Sequence, residues 1–339
     1  MGVRYIGVAS EATYGAGWAG APTQYMDVVS ESIVPDHGMI DIETAGYRER
    51  RLRVPGPYSL GGDIELIGNV DDLGTALYLT LGNLTGGIGA SAYRHYITPS
   101  QTLPFWRMEI APAVQQAAVY MARQCVGGIS TALSLEAIAR EALSATWSVA
   151  LQKDNLANAT TAAPGFSTIR PLIFYEGAVT FGALGAVANV EAFRCTIEND
   201  VDTDATVLGS RYLPGVRTQG ITVSGEMDIS FENWTMYQWV YAGAAAGTTP
   251  TTAIASNALT LTMTGTATGD GTPGYANYSL TLKCPQVYLD TAEANFDRRE
   301  RIVEGITWNA VFDPNEVLDT VTGLIVGVTV INGFNIAAL

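Results

Sequence analysis

Lysine is almost missing from this sequence of 339 residues, in which Lys153 and Lys283 are the only two. Arginine supplies the rest of the 18 positive charges, and 33 acidic residues leave a net charge of −15. Tight binding to a nucleic-acid backbone needs several lysine or arginine contacts with phosphates. The composition therefore argues against conventional nucleic-acid binding, and the lack of a lysine-rich run excludes a nuclear-localisation signal.

Cysteine and histidine are also scarce. The three cysteines, Cys125, Cys195 and Cys284, have no C-x-x-C spacing, which fits neither a disulfide framework nor a zinc site and predicts a reducing compartment. His37 and His95 are the only histidines, so a histidine-rich metal site is excluded. Because no G-x-S-x-G motif accompanies them, each is expected to be a hydrogen-bonded histidine in a loop or at the surface.

Long apolar runs are missing as well. Glu11 interrupts the chain before a secretory apolar region could develop, so no secretory signal is expected. The uncharged stretch from Val321 to Leu339 is broken by Thr, Gly and Asn, which predicts one or two strands and no membrane anchor. With 47% hydrophobic and 15% charged residues, the chain is expected to fold around a core rather than to be disordered.

Motifs for catalysis are weak. Residues Gly15 to Gly20 (GAGWAG) match a dinucleotide-binding pattern, but Pro22 stands where a helix should begin, so a loop is predicted. Asp200, Asp202 and Asp204 resemble the start of a calcium loop that lacks its glycine and its final glutamate, which predicts a solvated acidic turn. The sequence thus predicts no enzyme, no metal site and no cofactor.

The two halves of the chain resemble each other. Three pairs of segments keep their order at nearly constant offsets: Ser59 to Leu66 with Thr222 to Ile229 and Tyr78 with Tyr241 at 163 residues, and Ser144 to Val149 with Gly305 to Ala310 at 161. Alternating strands can also look alike without duplication, and the sequence leaves that alternative open. Residues 155–168 are uncharged and rich in Ala, Thr, Asn, Pro and Gly, which indicates a linker between the halves.

Within each half, apolar residues alternate with polar ones, which predicts strands. Residues 135–143 have strong helix propensity but lie between two alternating runs, which predicts a hairpin connection. A helix is predicted after each acid-bearing strand, over residues 71–81 and 233–245. The aromatic residues of the second helix have helical spacing and are interpreted as a core stripe; they are Trp234, Tyr237, Trp239 and Tyr241.

Five segments of the first half carry a resemblance to a known family: Glu11 to Gly15, the long charged connection from Asp36 to Pro57, the strand-helix run from Gly61 to Gly82, His95 to Pro104, and Phe105 to Ile110. Their order resembles the major tail tube protein of long-tailed (siphovirus-type) bacteriophages, here in a two-domain tandem version. The resemblance implies a mainly β fold, with two tandem tail-tube-like β-barrel or sandwich domains that each contain one short α-helix, plus long loops and terminal arms. The predicted domains are residues 1–154 and 171–317, with a linker over 155–170 and a C-terminal arm over 318–339 that would serve as an intersubunit strand.

The resemblance also implies a function. The expected protein is a structural component of the virion tail that is assembled in the host cytoplasm. Its domains would join edge to edge. Six domains in a ring would need three chains, and stacked rings would form the tube through which the genome is ejected. The expected partners are other copies of the chain and the tape-measure, terminator and distal tail proteins. DNA would pass without tight binding, because a negative wall does not hold phosphates.

Four acids are candidates for such a wall. Asp63 and Glu65, with Glu226 and Asp228 at the repeat offset, would project from one strand face in each half and form a lumen-facing acidic band. The competing interpretation places these acids on an outer or interface face. Split at residue 163, the two halves carry net charges of −5 and −10, so both would contribute the same sign.

A basic cluster in the long connection is the second candidate site; it consists of Arg48, Arg50, Arg51 and Arg53. These residues would either pair with an acidic surface of another subunit or remain solvated. Two other functions stay open for the chain. One is that of a phage decoration or head-completion protein, and the other is that of a glycan-binding β-rich tail protein, which would use the aromatic residues of the second helix as a platform.

Overall fold

A computed structural model describes residues 4–43, 49, 52–111, 115–116, 119–120, 122–157, 164–244, 247–252, 254–294 and 301–339. Strands make up 56% of the structure and helices 9%. The predicted mainly β fold with two helices is therefore confirmed. The large antiparallel sheets fit a sandwich, which selects one of the two predicted arrangements.

The elements of the first half are, in chain order, β1 (Tyr5–Glu11), β2 (Gln24–Met26), β3 (Val28–Glu31), β4 (Val34–Asp36), β5 (Ile40–Ile42), β6 (Leu52–Val54), β7 (Ser59–Ile67), α1 (Val70–Leu81), β8 (Gly82–Ile88), β9 (Tyr93–Pro99), β10 (Phe105–Ala111), β11 (Gln115–Gln116), β12 (Val119–Tyr120), β13 (Ala122–Ile138), β14 (Ser144–Leu151) and β15 (Lys153–Ala157). Since β15 extends to Ala157, the predicted linker begins inside a strand.

The elements of the second half are β16 (Gly177–Phe181), β17 (Gly185–Ala186), β18 (Val190–Val201), β19 (Thr218–Ser230), α2 (Thr235–Ala242), β20 (Asn257–Ala267), β21 (Asn277–Ala294), β22 (Val303–Val311), β23 (Asp313–Leu318), β24 (Val321–Leu324) and β25 (Gly327–Asn332). Short 3-10 turns lie at Phe174–Glu176, Gly182–Leu184 and Ile336–Ala338.

One antiparallel sheet runs through both halves, and we name it the joined sheet. In the first half its strands follow the order β3 and β4, β7, β14, β13. In the second half the order is β18, β19, β22, β21. The halves meet where β13 pairs with β18, from Ala132 opposite Glu198 to Ile138 opposite Ala192. The joined sheet therefore contains the same four-position strand order twice.

A second layer, which we name the cover sheets, lies on the joined sheet. The first cover sheet has the order β2, β1, β10, β13, β15. The second has the order β17, β16, β20, β21, β25, β9, β8. The long strands β13 and β21 belong to both layers, because their N-terminal parts pair in the cover sheets and their C-terminal parts pair in the joined sheet.

The core lies between the two layers. Trp147 of the joined sheet and Trp106 of the first cover sheet are both fully buried, and their ring centroids are 4.8 Å apart. The Trp147 indole Nε1 donates a hydrogen bond to Ser130 Oγ at 2.9 Å, which satisfies its polar atom. Burial of two indoles is worth several kcal/mol, so this pair helps to fix how the layers face each other.

Both helices lie where the sequence predicts them. The side chain of Asn69 accepts a hydrogen bond from Asp71 N at 2.9 Å and begins α1, while Gly82 ends it in the left-handed conformation with φ of 97°. Helix α2 is shorter than predicted and ends at Gly243, with φ of 66°. The predicted hairpin is also confirmed, because β13 turns at Arg140 into β14.

The C-terminal segment forms strands, as predicted. Strand β25 is paired on one edge with β21 and on the other with β9. The residues after it reach the first half, where Gly333 N and Phe334 N donate hydrogen bonds to Asp71 Oδ1 at 2.8 and 3.1 Å. Both edges of β25 are therefore occupied within the chain, and the role of the arm 318–339 as an intersubunit strand stays a prediction.

Candidate functional site

The face of the joined sheet that points away from the core is polar and acidic. On β7, Ile64 is buried, whereas its neighbours Asp63 and Glu65 are exposed. On β19, Glu226 is exposed and Asp228 is half-buried, since the apolar residues between and beside them point into the core. The alternation of a strand produces this separation. The structure thus brings the four predicted acids together on one face of one sheet.

Hydroxyl groups surround the acids of the first half. Ser148 Oγ, on the neighbouring strand β14, donates a hydrogen bond to Asp63 Oδ1 at 2.6 Å. Ser30 Oγ, on β3, donates to Glu65 Oε2 at 2.7 Å. These contacts hold both carboxylates in place, and among the described residues neither Asp63 nor Glu65 forms an ion pair.

Arg194 contacts several acids at the place where β13 pairs with β18, which we name the joint between the halves. Its Nε donates to Glu136 Oε1 at 2.6 Å, and its Nη1 lies 3.2 Å from Asp228 Oδ2 and 3.4 Å from Glu226 Oε2. Glu136 belongs to the first half, so this ion pair crosses the joint. The Arg194 side chain is 37% exposed, and water therefore limits each pair to ~0.3–1 kcal/mol.

Sequence reasoning missed further carboxylates on the same face, among them Glu136, Glu198, Asp200, Asp290 and Glu293. The sequence held part of the evidence for this face, because Glu198 and Asp200 lie four and six residues after Arg194 on β18 and therefore point to the same side of the sheet. What the sequence did not show was that β13 and β18 are neighbours. That pairing joins residues about 60 positions apart, and it alone brings Glu136 beside Arg194.

Basic residues are unevenly distributed between the strands of the two layers. Arg194 is the one basic residue in the strand segments that build the joined sheet. The strands of the cover sheets contain five, which are Arg94, Arg107, Arg123, Lys153 and Lys283. Two of these five have acidic partners: Arg123 with Asp154 and Lys283 with Glu316. The strands of the joined sheet are thus more acidic than those of the cover sheets, and Arg140 and Arg301, which lie beyond the strand ends, line the same surface as Arg194 and Asp228.

The basic cluster is described only in part. Arg53 lies on β6 in the exposed hairpin that β6 forms with β5, and its Nε is 3.4 Å from Asp41 Oδ1. The other three members, Arg48, Arg50 and Arg51, lie outside the described residues. The role of this cluster in contacts between subunits thus stays a prediction.

His95 and the three cysteines, which are residue types often used in catalysis, are buried in the fold. His95 lies buried on β9 and donates from Nε2 to Phe334 O at 3.1 Å, so its predicted hydrogen bonding is right and its predicted loop or surface position is wrong. Burial lowers the pKa of His95. All three cysteines are free and buried, and burial raises the pKa of Cys125 to about 12.

The described residues contain no cluster of three or more His, Cys, Asp or Glu side chains arranged to hold a metal ion. In the same part of the chain, no helix has both the length and the apolar character needed to cross a membrane.

The aromatic residues of α2 divide into two groups. Trp239 is half-buried and packs edge to face on Phe181, with centroids 5.7 Å apart. Trp234, Tyr237 and Tyr241 are 46%, 37% and 38% exposed. The predicted core stripe is therefore right for Trp239 and wrong for the other three. Two turns of helix with aromatic residues all around cannot bury every ring against one sheet.

Comparison with known protein families identifies one family whose model matches most of the chain. A family model for phage tail tube proteins matches residues 3–284. No curated protein matches the chain. The family match covers the first half, the joint and most of the second half, and it agrees with the β-rich fold. The chain belongs to the family of phage tail tube proteins.

Proposed function

We propose that three copies of this chain close into a ring, that the rings stack into the tube of a phage tail, and that the acidic face of the joined sheet lines the channel for the genome. Membership of the family supports a structural, non-enzymatic role in the virion tail. In the proposal, residues 1–154 and 171–317 act as two tube domains, and assembly takes place in the host cytoplasm. The tape-measure, terminator and distal tail proteins are the other partners.

The joint between the halves carries the proposal. Strands β13 and β18 continue the sheet from one half into the other through main-chain pairing. Because the halves share one strand order, the last strand of the second half can receive the first strand of another copy in the same way. Among the described residues, the outer edge of β3 and β4 and the outer edge of β21 over 288–294 have no strand partner. Ring closure would remove both edges.

The charge distribution supports the orientation of the wall. DNA that met several Lys or Arg side chains in every ring would be held by their summed contacts with phosphates. The face of the joined sheet presents the carboxylates named above, with Arg194 as the basic residue of its strands and Arg140 and Arg301 on the same surface beside it. Such a face repels the phosphate backbone and allows DNA to slide. The opposite orientation would place the more basic cover sheets against the DNA.

Electron microscopy of the purified, concentrated chain tests the assembly. The proposal predicts hollow filaments of stacked rings with three copies of the chain in each ring. A chain that stays monomeric under all conditions, or that forms rings of six chains, would contradict it.

Gold labelling tests which face lines the channel. The three native cysteines are buried, so a single introduced thiol can be labelled before assembly. Gold on Asp63→Cys or on Glu226→Cys should appear along the tube axis. Gold on the control Thr264→Cys, an exposed position on the outward side of β20, should appear at the periphery. The reverse pattern would show that the acids face outward.

A further inference from the structure

Helix α2 carries an exposed ladder of aromatic rings, which we name the α2 aromatic face. It consists of the exposed Trp234, Tyr237 and Tyr241 and of the half-buried Phe231, which precedes the helix. Neighbouring ring centroids are 4.9, 5.3 and 5.6 Å apart along the series. Ala292 and Ala294 of β21 border the same groove. Exposed aromatic residues grouped in this way mark a binding surface.

The corresponding surface of α1 is covered. At the repeat offset of 163, Asp71, Gly74 and Tyr78 of α1 stand where α2 has Trp234, Tyr237 and Tyr241. Asp71 accepts two main-chain hydrogen bonds from Gly333 and Phe334. A Cβ at Gly74 would lie 2.9 Å from Ile336 Cδ1 and 3.4 Å from Val330 Cγ1. Strand β25 and the residues after it, all from the second half, therefore cover this side of α1.

The edge of β21 beside α2 is unpaired among the described residues, whereas the corresponding edge of β13 is paired. In the first half, Glu136 lies opposite Ser144 and its outer edge is occupied by β18, where Arg194 stands. In the second half, Glu293 lies opposite Gly305, which corresponds to Ser144 at the offset of 161. Glu293 thus takes the place of Glu136. Among the described residues, no strand pairs with its outer edge.

The residues that would fill this edge are found at the other end of the joined sheet. Arg194 lies opposite Glu226, and Ser32 N donates to the carbonyl oxygen of Asp63, which corresponds to Glu226. Ser32 therefore takes the place of Arg194, and residues 28–36 take the place of β18. If the joint repeats between copies, Ser32 of one copy lies opposite Glu293 of another.

Strand β15 would cover the α2 aromatic face. It pairs with the N-terminal part of β13 as β25 pairs with the N-terminal part of β21. Leu156 is the fourth residue of β15 and Val330 the fourth residue of β25, but Leu156 is 64% exposed whereas Val330 is buried. An exposed leucine on the first half and exposed rings on the second half are complementary surfaces.

We infer that a second copy of this chain docks on the α2 aromatic face, with its residues 31–34, from the end of β3 to the start of β4, paired to β21 over 291–294 and its Leu156 packed against Tyr237. This inference rests on the proposed ring and names the surfaces that close it. The contact between copies has serine in place of the arginine that bridges the joint within the chain. Aromatic burial rather than an ion pair therefore holds it, and ring formation should tolerate high salt.

Charge substitutions on the two surfaces test the inference. Tyr237→Glu and Leu156→Glu each place a carboxylate in the apolar contact and should lower ring affinity about 30-fold or more, as at an interface hot spot. Both positions are exposed in the single chain, so the monomer should keep its urea unfolding midpoint. The matched control is Ile88→Glu, at an apolar position that is 73% exposed on β8, and it should form rings as the unmodified chain does.

Cross-linking tests the pairing directly. The double variant Tyr237→Cys with Leu156→Cys should give disulfide-linked species that end at three chains, because the ring closes. Each single variant should give none above dimer. If Tyr237→Glu and Leu156→Glu form rings normally, the docking surface is wrong while the tube proposal stands; if the unmodified chain forms no rings, the proposed function itself fails. Glycan binding by the unmodified chain that Tyr237→Glu abolishes, without any effect on ring formation, would also overturn the inference.

Discussion

Replacement of Arg194 by methionine should loosen the joint between the halves. The substitution keeps much of the aliphatic stem and removes the charge that contacts Glu136, Asp228 and Glu226 at 2.6, 3.2 and 3.4 Å. Each partly exposed pair is worth ~0.3–1 kcal/mol, so the three together predict a loss of about 1–3 kcal/mol in the free energy of unfolding. The carboxylates left behind also repel one another.

Urea unfolding followed by tryptophan fluorescence measures this loss. The loss should shrink in 1 M NaCl, where the screening length falls to about 3 Å. A double-mutant cycle with Glu136→Gln isolates the pair that crosses the joint and should give a coupling of about 0.5–1 kcal/mol. The control is Arg107→Met, because the Arg107 guanidinium donates to the Ser10 carbonyl oxygen at 3.3 Å and lies over the Trp18 ring instead of meeting a carboxylate. An Arg194→Met variant as stable as the unmodified chain, or a loss that salt does not change, would refute the reasoning.

Three further predictions concern the core. Burial raises the pKa of Asp72 to about 7, against about 3.9 in the unfolded chain. The contribution of the protonated Asp72 to the free energy of unfolding is therefore fully present below pH 4 and is lost as the pH rises to 7. Urea titrations should show that the protein loses up to about 4 kcal/mol over that range relative to the Asp72→Asn variant. The three buried cysteines should react with a thiol reagent only on unfolding, and fast reaction in the native state would contradict their burial. Gly74→Val should cost about 1–3 kcal/mol, because its side chain would meet Ile336, and should expose the C-terminal residues to carboxypeptidase, while unchanged stability would show that the segment is free to move.

Local signals allowed parts of the fold to be predicted from the sequence. Asn69 and Gly82 mark the ends of α1 through a side-chain cap and a left-handed glycine, and both depend on neighbouring residues alone. The common face of Asp63 and Glu65 follows from the period of a strand. Residues 135–143 show the limit of propensity, because pairing with β14 and β18 overrides their helical preference.

Contacts between distant segments could not be predicted in the same way. The place of Glu136 beside Arg194 depends on the pairing of two strands from different halves. The exposure of Tyr237 depends on which segment covers the helix, and helical spacing is the same for a covered and an uncovered face. His95 is buried because β25 from the far end of the chain lies against β9. In each case the deciding neighbour lies elsewhere in the sequence.

The central claim is that the joint between the halves repeats between copies until a ring closes. Native mass spectrometry of rings released from the assembled tube measures this most directly. The account predicts a closed species of three chains, each of 35.9 kDa, that persists at high salt and disappears in Tyr237→Glu. A ring of six chains, or a three-chain ring that Tyr237→Glu leaves intact, would contradict it.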